Sequence, residues 1–190
     1  KEIIDNVKVR RFKDKIRLFK YIYSPDMKKR LLKEKFDVIH SHCYRSYQSD
    51  LGYEVAKVKK KPFVLSTHGT LLSYKYFVKF PWNLVFEFYD SITQKRTAKK
   101  ADAIIVNSSQ EYKEALKFGI KKSKIHLIPV GIDYNDYKVK RSFKDKKVLD
   151  LLYVGRITRN RPLMPTLKAI KKINETLLEN KIKLIIIGSE

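Results

Sequence analysis

Six short apolar runs constrain this chain more than any other feature. They are FDVIHSH (36–42), PFVLSTHG (62–69), ADAIIVNSS (101–109), KIHLIPVG (124–131), LDLLYVGR (149–156) and IKLIIIGS (182–189). Each is a block of apolar residues that ends in small or polar ones. Segments apolar on both faces predict strands of a parallel sheet covered by helices on both sides. Helical patterns fall between them. SPDMKKRLLKEKF (24–36) opens with Ser24 and Pro25, a cap and a first-turn proline. SSQEYKEALKFG (108–119) starts from Ser108 or Ser109 and ends at Gly119. In 164–180, Leu167, Ile170, Ile173, Leu177 and Leu178 form one apolar stripe with a lysine-rich back. Strands alternating with helices predict an α/β fold with right-handed crossovers.

The stretch 134–147 is charged and lacks an apolar period, which predicts a linker. Residues 1–133 are expected to form a Rossmann-like sheet domain, and 148–190 to open a second one with a single β-α-β unit. One such unit buries its own core poorly, so the second domain is expected to be truncated.

The formal charge of +23 attracts polyanions: anionic lipid, phosphorylated substrates or nucleic acid. A lysine-rich surface of the kind thermophiles carry is the plainer reading. No signal peptide or membrane span is visible, because the richest aromatic stretch, 74–92, is broken by Lys75, Lys79, Glu87 and Asp90. A single cysteine, Cys43, excludes an intrachain disulfide framework and fits a reducing cytoplasm. The chain begins with Lys1 rather than methionine, so the natural start is expected upstream.

Two places could carry chemistry. In an open parallel sheet, ligands bind outside the carboxyl ends of the strands. His42 and His68 fall at predicted strand ends, and Gly69 permits a close approach. His40 lies two residues earlier and is expected to be buried. Strand-end histidines can also simply cap loops. Three histidines could bind zinc, but no accompanying pattern supports it. The second place is LLYVGRITRNRP (151–162). Gly155 ends a strand, and Arg156 and Arg161 lie on the loop into a helix that begins near Pro162–Pro165. A helix N-terminus flanked by two guanidinium groups can clamp a diphosphate. Exposed arginines on a basic protein are the alternative. No GxxxxGK[ST], GxGxxG, GxSxG, HExxH, DxD or CxxC pattern occurs, which weakens hydrolase, metalloprotease and metal-dependent transferase readings.

Taken in order, DVIHSH, STHGT, ADAIIVNSSQEYKEALKFGI, KIHLIPVGID and LLYVGRITRNRP through LIIIGSE resemble the retaining GT-B glycosyltransferases of family 4 over nearly the whole chain. IPVGID is similar to that family's IPNGVD, with Val130 in place of asparagine, and GRITRNRP to its GRLxxxKG. The resemblance implies two Rossmann-like domains, the N-terminal one on the acceptor side and the C-terminal one binding a nucleotide-sugar. It implies that Arg156 and Arg161, with Gly155, grip the donor diphosphate. Arg161 stands where a lysine is usual, and Pro162 replaces a glycine. His68 would be the catalytic residue approaching the transferred sugar, with His42 and Gly69 on the sugar and acceptor side. No cofactor and no metal are implied, because the cations and helix dipole neutralise the leaving phosphate.

The family's first strand and Gly-rich loop have no counterpart here, nor does its Glu-x7-Glu motif. The resemblance therefore implies an interior fragment without activity alone. The expected partners are a nucleotide-sugar donor and a saccharide or lipid-linked acceptor, with no specific nucleic acid. The expected localisation is cytoplasmic, with peripheral contact at the inner face of an anionic membrane. The aromatic stretch 74–89 suits that contact, but core and interface packing is its plainer reading. A non-catalytic basic module for nucleic acid or another polyanion, and a GT-B-shaped sugar epimerase, remain the competing functions.

Overall fold

Two units organise the chain, Lys1–Ile132 and Asp133–Glu190. The computed structural model describes residues 2–18, 21–69, 71–72, 78–93, 95–138, 148–158, 162–176 and 181–189.

The first unit opens with two antiparallel hairpins that no long apolar run announces. Strands β1 (Glu2–Ile4) and β2 (Val7–Val9) are joined by Asp5 and Asn6, with φ of 47° and 65°. Two left-handed residues suit the primed turn of a two-residue hairpin, and Asp and Asn tolerate that conformation. Strands β3 (Ile16–Leu18) and β4 (Tyr21–Tyr23) form the second hairpin. Helix α1 (Pro25–Lys33) follows, with Ser24 at the N-cap position and Pro25 in the first turn. Ser24 does not cap through its side chain; its hydroxyl donates to the Lys13 carbonyl at 2.9 Å.

Four strands then form a parallel sheet in sequence order. They are β5 (Ile39–His42), β6 (Phe63–Ser66), β7 (Ala103–Val106) and β8 (Ile125–Leu127). Helix α2 (Tyr47–Lys59) crosses between β5 and β6; α3 (Trp82–Ile92) and the short α4 (Arg96–Lys99) lie between β6 and β7; α5 (Ser109–Phe118) joins β7 to β8. Phe63, Leu65, Ile104, Val106, Ala115 and Phe118 form the centre of the core. Leu51 and Val55 of α2 pack with Met27, Leu31, Phe36 and Ile39. Each fully buried large apolar side chain contributes about 1.5–3 kcal/mol through loss of water contact.

Gly52 lets α2 lie close on the sheet. A β-carbon there would meet Ser41 Oγ at 2.5 Å, Phe63 at 3.1 Å and Ile39 at 3.2 Å. Farther round, the loop after β5 is fixed by a buried ion pair with α3. Arg45 donates from Nη2 to Asp90 Oδ2 at 2.7 Å and from Nε to Oδ1 at 3.0 Å. Its Nη2 also donates to the Leu71 carbonyl at 3.0 Å, and the Tyr44 hydroxyl donates to Asp90 at 2.9 Å. A second, half-buried carboxylate, Asp50, accepts from the hydroxyls of Tyr21, Tyr89 and Thr97. Burial, and then the nearby carboxylates, push the Tyr44 and Tyr89 phenols far up.

The second unit is a β-α-β unit: β9 (Val148–Val154), α6 (Met164–Thr176) and β10 (Lys181–Ile187), the strands parallel and in register from Val148–Lys181 to Val154–Ile187. Asn174 ties α6 to β10, donating to the Ile182 carbonyl at 2.9 Å and accepting from its N–H at 2.7 Å. Leu149, Leu152, Val154 and Ile187 stay exposed. Within the expected linker, Tyr134–Tyr137 form a 3-10 turn, and 139–147 lie outside the described residues.

Two stability outcomes follow from this packing. Gly52→Ala is expected to cost about 1–3 kcal/mol by overpacking, read as a lower denaturant midpoint with unchanged slope. Asp90→Ala strips a buried guanidinium of its carboxylate and is expected to cost about 3–5 kcal/mol. Replacing Arg45 and Asp90 together with apolar residues should recover much of that loss in the same denaturation experiment.

Candidate functional site

The carboxyl ends of β5, β6 and β7 converge because their ladders stay in step. His42 pairs with Ser66, and Ser66 with Ile105. The ladder runs one residue farther: the Cys43 N–H donates to the Ser66 carbonyl at 2.8 Å, and the Thr67 N–H to Ile105 at 3.1 Å. At His68 the chain leaves the sheet with φ of 47°, followed by Gly69 at 74°. A left-handed histidine costs conformational energy and persists only where the surroundings hold it.

Glu111 supplies that hold. Ser108 caps α5, accepting from the Glu111 N–H at 3.2 Å. From this first helical turn the Glu111 carboxylate reaches back to accept from the Asn107 N–H at 2.6 Å, and also from the Gly69 N–H. The Thr67 hydroxyl lies 3.4 Å away. An acidic side chain in this position is also favoured by the positive end of the helix dipole. One carboxylate therefore joins the loop after β6 to the loop after β7.

The histidines form a line along this edge. Asn107 Nδ2 lies 3.1 Å from His68 Nδ1, and His68 Nε2 lies 2.8 Å from His42 Nδ1. An amide nitrogen can only donate, so His68 accepts at Nδ1 and carries its proton on Nε2. It then donates to His42 Nδ1, which leaves the His42 proton on Nε2. The two rings are inclined by only 20°. His40 continues the line, its ring centroid 4.5 Å from that of His42 and its Nε2 2.8 Å from the Ser66 hydroxyl.

His40 is exposed, which corrects the expectation of burial. The reason is strand alternation: Ser41 points into the core towards α2, so His40 and His42 share the opposite face. Partial desolvation, and then the neighbouring His42 and His68, lower the His40 pKa. Among the described residues, no set of three or more His, Cys, Asp or Glu side chains is placed to hold a metal ion.

In the second unit, the Gly155 N–H donates to the Ile187 carbonyl at 3.0 Å, and the Ile157 N–H to Ser189 at 3.1 Å. A β-carbon on Gly188 would collide with the Gly155 carbonyl oxygen, so glycine is required at this close approach of the strand ends. Arg156 follows Gly155 on the exposed surface, its carbonyl accepting from the Tyr153 hydroxyl at 3.1 Å. Helix α6 starts at Met164. Arg161, the expected second cation, and Arg159 lie outside the described residues.

Arg45, Asn107 and Glu111 were not singled out in the sequence. Glu111 carried a signal, since Ser108-x-x-Glu111 is the spacing of a capping box. Arg45 carried none, its partner lying 45 residues away.

The depressed His40 pKa fixes the sign of one pH effect. The folded state binds this proton less readily than the unfolded chain, so stability is full above the ordinary histidine value of about 6.5 and falls as pH drops below it. Chemical denaturation across pH 5–8 should show that loss, and His40→Gln should shrink it.

The family model described as Glycosyltransferase Family 4 matches residues 1–136. No curated protein matches the chain at a significant level. Among solved structures, Anabaena HepE in complex with UDP-glucose superposes with a TM-score of 0.54 at 16% identity, over 86% of this chain and 42% of that one. HepE with UDP and glucose gives 0.52 at 16%, over 86% and 42%, and HepE with UDP gives 0.53 at 15%, over 87% and 43%. The chain thus spans about 42% of the length of these relatives. At such identities the structures speak for a shared Rossmann-like α/β fold, and the family assignment rests on the sequence match. With 136 residues matched, this chain belongs to glycosyltransferase family 4.

Proposed function

We propose that this chain is part of a retaining, metal-independent hexosyltransferase that moves a sugar from a nucleotide-sugar to a saccharide or lipid-linked acceptor. The observation that carries the reading is the left-handed His68, held by Glu111 and oriented by Asn107, at the carboxyl edge of the sheet in a family 4 chain. HepE is solved with UDP-glucose and with UDP, so a uridine diphosphate sugar is the donor to try first.

In this reading the first unit is the acceptor-side domain and the second begins the donor domain, with 134–147 as the linker. His68 presents an imidazole to the transferred sugar, and Asn107 fixes which nitrogen carries the proton. His42 and Gly69 border the sugar, Gly69 because it lacks a side chain beside the histidine. On the donor side, Gly155 lets the backbone approach the diphosphate. Arg156 and Arg161, which precede α6 in the sequence, neutralise the charge that builds on the departing phosphate. Charge stabilisation of a leaving group by fixed donors is the main lever for breaking such a bond, and removal of one donor typically costs about 10²–10³ in rate. Peripheral contact with an anionic membrane would bring a lipid-linked acceptor within reach.

The net charge of +23 keeps a second reading alive, a basic module that holds polyanions without catalysis. Calorimetric titration separates the two, using protein that carries a complete C-terminal domain. The transferase reading expects saturable UDP-glucose binding that Arg156→Ala weakens at least about tenfold with the fold intact. His68→Ala should leave donor affinity within about threefold while lowering transfer by about 10² or more. Unchanged nucleotide binding in Arg156→Ala would refute the diphosphate grip. Binding only to nucleic acid duplexes, with a steep dependence on salt, would favour the polyanion reading. The anomeric configuration of the product, read by NMR, tests retention.

A further inference from the structure

Helix α3 is inverted relative to an ordinary surface helix. Such helices turn their apolar stripe inward and their charges to water. In α3, Asp90 is buried and bonded to Arg45, while Phe86 and Tyr89 are half-buried beside it. Leu84, Val85, Phe88 and Ile92 fall within an arc of about 100° on the other side of the helix, at 3.6 residues per turn. They are 48%, 47%, 67% and 60% exposed. Phe80, just before the helix, is 79% exposed, and Trp82 in the first turn 55%. The stripe is three aliphatic side chains and one phenylalanine on one side of the helix, the kind of patch that marks an interaction site rather than scattered surface residues.

Its flanks are basic. Lys79 precedes it, and the exposed Arg96 and Lys100 follow. Glu87 is the exposed acidic residue of the helix. A short apolar face with Trp and Phe, bordered by cations, matches a helix lying in the plane of a membrane surface: aromatic rings sit at the headgroup level, and lysines meet anionic lipid. A second copy of this chain is a poor occupant, because two surfaces of a +23 protein repel each other. A nucleic-acid duplex would meet the cations but offers nothing for an aliphatic stripe.

We infer that the outward face of α3, Leu84, Val85, Phe88 and Ile92, bordered by Phe80 and Trp82, docks the protein on an anionic lipid bilayer. The apolar stripe enters the headgroup region and the flanking cations contact the lipid phosphates. The inference deepens the membrane-side part of the proposed function and rests on it for its purpose, while its evidence is the helix itself.

Trp82, the chain's single tryptophan, is 55% exposed in the first turn of α3 at the border of this face and serves as its reporter. The 190-residue chain is mixed with vesicles of phosphatidylcholine alone or phosphatidylcholine with phosphatidylglycerol, and emission and co-sedimentation are followed. Docking predicts a blue shift of Trp82 with the anionic vesicles and its quenching by brominated lipid. It also predicts a bound fraction that falls at least about tenfold in a Leu84→Ser/Phe88→Ser variant. Both positions are largely exposed, so circular dichroism should show that variant folded; the quenching arm needs no variant at all. Co-sedimentation with Trp82 emission unmoved would mean adsorption through lysines elsewhere and would overturn the inference. A blue shift without vesicles that grows with protein concentration, alongside a doubled mass, would assign the face to self-association and also overturn it. UDP-glucose binding is a separate readout: its absence would sink the donor-site reading and leave vesicle docking untouched.

Discussion

The Glu111 carboxylate is the interaction on which the candidate site depends. It accepts from the backbone of two different loops, at Gly69 and Asn107, while its own N–H is capped by Ser108. Backbone donors after a parallel strand have no ladder partner left, and a carboxylate at a helix N-terminus satisfies them at low cost. It ties the left-handed turn at His68 and Gly69 to the first turn of α5. With it, the imidazole is aimed by the chain rather than by its own flexible rotamers, which is what a preorganised site needs. The requirement reaches back to the sheet register, since Asn107 and His68 meet only because β6 and β7 end in step.

The same economy recurs in the support beneath the site. This strongly basic protein surrounds the buried Asp90 and the half-buried Asp50 with donors. Asp90 is matched by a guanidinium and a tyrosine hydroxyl, and Asp50 by three hydroxyls. Both draw α3 and α4 onto the loop after β5 and onto α2. Burying Asp90 fixes the rotation of α3, and that rotation turns Leu84, Val85 and Phe88 outward. The polar anchor of the core and the apolar outer face are therefore two consequences of one helix orientation.

Strands β5 to β10 were legible because each is an apolar block between turn residues, and α1, α5 and α6 because their caps or stripes stand in the sequence. Helix α2 was not, since Tyr47, Ser49, Leu51, Gly52, Val55 and Ala56 are buried around much of its circumference and leave no clean helical period. The N-terminal hairpins were missed because strands of three residues carry little apolar signal. At the site, strand ends pointed to His42 and His68 but not to the residue that holds them. Glu111 reads locally as a helix cap, and its reach to Gly69 is a tertiary fact. An apolar run two residues before the strand end predicts a buried His40, whereas β5 keeps one face exposed. The sequence favours core and interface packing for the stretch 74–89, whereas Leu84, Val85, Phe88 and Ile92 are exposed. The pairing of Asp90 with Arg45, invisible at that separation, decided the orientation of its helix.

The central claim is that the chain holds His68 as the Nε2–H tautomer, accepting from Asn107 and donating to His42. Two-bond nitrogen–proton correlation spectra of the histidine side chains read that directly. Near neutral pH, His68 should show a protonated Nε2 and an unprotonated Nδ1, and Asn107→Ala or Glu111→Ala should return it to averaged shifts. A His68 that is averaged in the unaltered protein, or protonated at Nδ1, would contradict the account.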